Sequence, residues 1–133
     1  MPFVLGASIA ACWAFEDEDH PVAALALERM RSDQALVPSL WWFEVRNTLI
    51  VNERRGRLAE ADTAAFLRAL SRLGVVVDRS PEDAAVLTLS RKHRLTVYDA
   101  SYLELAVRET LPLATLDAVL ARAASVERVS LLS

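Results

Sequence analysis

Three carboxylates in this chain stand where a carboxylate is costly. Glu44 lies in Phe43-Glu44-Val45-Arg46-Asn47, Asp99 in Thr96-Val97-Tyr98-Asp99-Ala100-Ser101, and Asp117 in Ala114-Thr115-Leu116-Asp117. Each is embedded among apolar neighbours, and an ionised carboxylate there needs a compensating charge, which a hard divalent cation supplies well. Ser8, Asn47, Ser101 and Thr115 place neutral oxygens or amides beside the same positions. An oxygen-rich set without Cys or His selects Mg2+ or Mn2+ over zinc or copper. Such an ion polarises a phosphoryl oxygen and lowers the pKa of a bound water, which is the chemistry of phosphate-ester hydrolysis. A fourth stretch, Val4-Leu5-Gly6-Ala7-Ser8, repeats the Ala-Ser that follows Asp99, but glycine replaces the acid.

Each acid also has a plainer reading. Asp99 and Asp117 fall at helix starts, where an N-cap is worth about 0.5–2 kcal/mol. Glu44 lies within a helix, where capping cannot explain it. It shares a face with Leu40, Trp41, Asn47 and Val51, and a rim pairing with Arg46 is its bland alternative. Individually these readings suffice. Jointly, two strand-end aspartates and one helix-face glutamate are placed to converge on one cleft.

The elements that must position them alternate between short apolar runs and helical periodicities, the pattern of repeated β-α units. Strands are expected at Phe3–Leu5, Ala35–Val37, Val75–Val77, Leu95–Tyr98 and Leu113–Thr115, with a last edge strand at Val129–Leu132. Helices are expected over 8–15, 21–32, 40–55, 60–73, 100–108 and 118–124, and from Ser80-Pro81-Glu82-Asp83 to Arg91-Lys92-His93-Arg94. Pro21 and Pro81 suit first helical positions, Ser39 suits a cap, and Gly56 and Gly74 suit helix ends. Continuous β-branched strands imply helices on both faces. The expected fold is therefore α/β: a three-layer α/β/α sandwich around a mostly parallel sheet, with its site beyond the carboxyl ends of the strands.

Composition limits the alternatives. With 133 residues, 53% hydrophobic and 25% charged, the chain reads as one folded domain, residues 1–133. The net charge of −3 gives no global attraction to nucleic acid, so RNA contact needs a local patch. Arg54, Arg55 and Arg57, and the run 91–94, are candidates, although basic residues at helix C-termini also complement the helix dipole. Cys12 is the lone cysteine, which excludes an internal disulfide; with two histidines it argues against structural zinc. Residues 16–19 read as a solvated acidic loop, His20 and His93 as loop residues without a catalytic role. The apolar stretch from Phe3 to Phe15 is too short to span a bilayer and follows no basic residue. The chain is expected to be cytoplasmic, without a membrane anchor. Of Trp41, Trp42 and Phe43, adjacent on one helix, one is expected at the surface. A phosphoacceptor receiver domain needs paired acids near its first strand and a late lysine; the single lysine, Lys92, lies on a basic helix end.

The sequence resembles the PIN domain, and within it the VapC-type toxin ribonucleases of bacterial toxin–antitoxin pairs. The resemblance runs nearly end to end. It is carried by Phe3-Val4-Leu5-x-Ala7-Ser8, by Val37-Pro38-Ser39-Leu40-Trp41 with Glu44-Val45-x-Asn47, by Thr96-Val97-Tyr98-Asp99-Ala100-x-Tyr102-Leu103 and by Leu113-Ala114-Thr115-Leu116-Asp117. It implies a Mg2+- or Mn2+-dependent endoribonuclease acting on tRNA or ribosomal RNA. Glu44, Asp99 and Asp117 would be catalytic and metal-ligating, with Ser8, Asn47 and Thr115 supporting. It also implies a VapB-type antitoxin as partner and a homodimer. The family's fourth acid, a first-strand aspartate and direct ligand, corresponds to Gly6. Weaker metal binding and severely reduced cleavage follow from that loss. Since the other acids are intact, Gly6 reads as an inactivating replacement in a toxin, ahead of a natural decay that leaves a non-catalytic module binding antitoxin or RNA.

Overall fold

The computed structural model describes all residues, 1–133. In chain order the elements are β1 (Phe3–Leu5), α1 (Ala7–Cys12), α2 (Pro21–Arg29), β2 (Ala35–Pro38), α3 (Leu40–Arg54), α4 (Glu60–Ser71), β3 (Val76–Asp78), α5 (Asp83–His93), α6 (Val97–Glu109), β4 (Leu113–Ala114) and α7 (Ala118–Val126). The four strands form one all-parallel sheet in the order β3-β2-β1-β4. This is the expected α/β architecture, with seven helices flanking the sheet.

Topology follows from the strand order. The chain steps outward from β1 to β2 to β3, then crosses to β4 on the far side of β1. With right-handed crossovers, α1–α4 cover one face and α5–α7 the other. α6 packs against β1, β2, β4 and α7, while α1 packs against α2 and α3. β1 is buried on both sides, each of Phe3, Val4 and Leu5 fully so, which explains its unbroken apolar run. The change of direction falls between β1 and β4, and in open parallel sheets the crevice opens at such a point.

Several expectations are corrected. Leu95–Tyr98 is not a strand: α6 begins at Val97, capped by Thr96, whose Oγ1 accepts from the Asp99 backbone N–H at 3.0 Å. A buried Leu95 made the segment look like a strand. The last edge strand reduces to one parallel bridge between Leu113 and Leu131. Pro81 precedes α5, whose cap is Glu82, and Pro38 lies within β2, paired with Asp78. Ser39 is already helical and makes no side-chain cap. His93 is the last residue of α5, with Nε2 2.6 Å from Glu127 Oε2.

Candidate active site

Four chain segments meet at the switch point. Gly6 follows β1 and its N–H bonds the Ala114 carbonyl at 2.9 Å, holding the ends of β1 and β4 together. Beyond them Ser8 Oγ accepts from the Leu116 N–H at 3.4 Å, and Thr115 Oγ1 from the Asp117 N–H at 3.1 Å. These bonds shape the turn that carries Asp117. Its Oδ1 accepts from the Val119 and Leu120 N–H groups at 2.8 and 3.1 Å, capping α7. The capping reading of Asp117 is therefore correct, and Oδ2 takes no part in it. Asp99 is not the cap of α6 but stands in its first turn.

Together these residues line a cleft of about 110 Å³ that includes Gly6, Ser8, Glu44, Asp99, Thr115 and Asp117. Asn47 does not line it and is exposed one turn further along α3. Sequence reasoning missed Tyr102, which also lines the cleft. The Tyr102 hydroxyl donates to Glu44 Oε1 at 2.6 Å. Its position three residues after Asp99, on the same helix face, was the available signal. Arg46 is not the partner of Glu44. It donates to the Trp42 carbonyl and its guanidinium lies 3.9 Å from the centre of the Trp42 ring.

The electrostatics run in series. Burial raises the Glu44 carboxyl above its ordinary range; the Tyr102 bond opposes that, and the charge of Asp99 adds to it. Burial likewise raises Asp99, the charge of Asp117 adds, and the Thr96 hydroxyl opposes. Tyr102 is held far above the phenol range, first by burial and then by its bond to Glu44. Like charges thus press on one another from Glu44 through Asp99 to Asp117, which is the stress that a cation would relieve. The donors are hard oxygens throughout, suited to Mg2+ or Mn2+. No three His, Cys, Asp or Glu groups are drawn closely enough together to enclose an ion. Glu44 is turned to Tyr102, and position 6 offers no side chain.

Gly6 also sits at a point of close backbone approach. A Cβ there would lie 2.7 Å from the Ala114 carbonyl oxygen, closer than packed atoms tolerate. β1 and β4 are closed on the glycine, and an aspartate needs the end of β4 to withdraw.

The family model described as PIN domain matches residues 4–126. The chain belongs to the PIN domain family. PIN domains are generally metal-dependent nucleases, and the family makes general use of divalent ions. Among solved structures the chain is similar to PAE2754 from Pyrobaculum aerophilum, with a TM-score of 0.71, 24% identity, and coverage of 92% of this chain and 87% of that one. That likeness concerns the fold. No curated protein matches the sequence. In this PIN domain no helix is long and apolar enough to cross a membrane. Burial, followed by Glu18, pushes the Cys12 thiol up to about 11, so it stays neutral and unreactive at physiological pH.

Proposed function

We propose that this PIN domain is the toxin of a VapBC-type toxin–antitoxin pair and that its cleft is a Mg2+- or Mn2+-dependent endoribonuclease site, severely impaired by Gly6. One observation carries the reading: Glu44, Asp99 and Asp117, far apart in sequence, line a single cleft at the switch point of the sheet. A divalent ion bound there would supply phosphoryl polarisation and a more acidic water. Asp99, with Asp117 through its uncommitted Oδ2, would hold it, and Glu44 completes the acidic set. Tyr102 occupies Oε1 of Glu44, which leaves Oε2 to receive a proton from the attacking water. Burial raises the proton affinity of Glu44, and this suits that role. Ser8 and Thr115 act through the backbone, fixing the turn that presents Asp117. Asn47, exposed on α3, would support the site only from outside the cleft.

With Gly6 the site has three carboxylates where four are usual, so both charge and ligand count fall. A VapB-type antitoxin, a homodimeric state, a tRNA or ribosomal RNA substrate and a cytoplasmic setting complete the proposal. The exposed Trp42 and Phe43 support a protein contact on α3. The second reading, a non-catalytic module that engages antitoxin or RNA, draws support from the lack of any closed acidic trio.

Cleavage of end-labelled structured RNAs separates the two. Gly6→Asp should bring back Mg2+-dependent cutting, and adding Asp99→Asn should abolish it. A Gly6→Asp chain that melts cooperatively yet cuts nothing with either ion would favour the binding module.

A further inference from the structure

The start of α6 carries a feature that the cleavage chemistry leaves unused. At about 100° per residue, its surface presents Val97, Ser101, Tyr98, Tyr102 and Asp99 in that angular order. Val97 and Ser101 line a groove of about 220 Å³, with Pro81, Val86 and Leu87 contributing apolar walls and Asp83 a carboxylate. Tyr102 and Asp99 line the acidic cleft. Tyr98 is therefore the ridge between the two, and it is 64% exposed. No lysine or arginine lines either the cleft or the groove. A polyanion held here finds no cationic side chain in the lining to pair with, whereas an aromatic ring can add affinity by stacking on a base.

We infer that Tyr98 is a base-stacking platform, on which an unpaired RNA base beside the phosphodiester in the cleft rests while the adjoining groove receives its neighbour. This rests on the nuclease reading and names a residue of this chain that would hold its substrate beside the cut. A protein partner is the lesser candidate for Tyr98, because it stands at the cleft mouth, whereas the exposed Trp42 and its stacked Arg46 lie on the flank of α3 opposite Glu44.

The test uses a single-stranded mixed-sequence hexaribonucleotide carrying 2-aminopurine, titrated at low salt with Mg2+. The Gly6 chain serves directly, because slow cleavage permits an equilibrium reading. Stacking should quench the fluorophore. Tyr98→Ala should weaken binding about 5- to 150-fold and remove the quench, while Tyr98→Phe stays within about twofold. The same sequence in a duplex should show no dependence on residue 98. Thermal melting controls for folding, and exposure of Tyr98 predicts little change. If the parent chain binds and Tyr98→Ala binds equally well, or Tyr98→Phe is as weak as Tyr98→Ala, ring stacking is refuted and the nuclease reading stands. If the parent binds no single-stranded RNA, both fail. If residue 98 alters only the oligomeric state, Tyr98 is a protein contact and the inference is wrong.

Discussion

The bond from Tyr102 to Glu44, at 2.6 Å, sets the orientation of the cleft acid carried by α3. Tyr102→Phe removes a hydrogen bond to a carboxylate and leaves a partly buried acid with one donor fewer. A loss of about 1–2 kcal/mol in urea unfolding is expected, and an unchanged midpoint would show the bond to be idle. The raised carboxyls of Glu44 and Asp99 carry a pH dependence whose sign is fixed. Between the ordinary carboxylate range and the raised values, the folded chain binds more protons than the unfolded one. Stability therefore falls as pH rises through that window, and the penalty persists above it. Asp99→Asn should accordingly be more stable than the parent at pH 7 without metal, an advantage that fades below about pH 4. Melting curves at the two pH values check this, and a parent more stable at both would refute it. At this scale the sequence was informative about the acids, since charge among apolar neighbours is visible in it. Tyr102 was hidden, because a tyrosine on a buried helix face looks like ordinary core.

At the scale of elements, β1 and β4 meet through Gly6 with no room for a side chain. Gly6→Ala isolates that steric cost from any effect of charge, and a loss of about 1–3 kcal/mol is expected. A neutral effect in denaturant unfolding would mean that the end of β4 yields freely. Gly6→Asp meets the same obstacle, so recovered cleavage and lowered stability should appear together. The strands around this junction were legible because burial on both faces leaves continuous apolar runs. The start of α6 was not, since Leu95 and Val97 carry strand-like chemistry and the cap is Thr96, one turn ahead of the acid that drew attention. Val129–Leu132 misled for a related reason. Its apolar residues seal the edge of β4 with a single bridge instead of a ladder.

For the molecule as a whole, the fully buried carboxylate lies outside the cleft, whose own acids are half-buried or exposed. Glu104, 2% exposed, is held by Arg108 at 2.8 Å, and Arg108 also reaches Asp78 at 2.7 Å, tying α6 to the end of β3. Arg108→Met leaves Glu104 buried and unpaired, for an expected loss of about 3–5 kcal/mol; a loss below 1 kcal/mol would mean that water reaches Glu104. Arg57, read from the sequence as a helix-end charge, performs a similar task between α3 and the acidic loop, bonding Asn52 and Asp17. Net charge and periodicity could not reveal such cross-links, because they depend on which distant elements the fold brings together. The most direct test of the cleft is a calorimetric titration of Mn2+ into this chain and into its Asp99→Asn variant, both free of RNA. Weak saturable binding by the parent, lost in the variant, is the expected result. Equal affinity in both, or no binding by the parent at any concentration that leaves it folded, would contradict a divalent-ion site held by Asp99 and Asp117 beside Glu44.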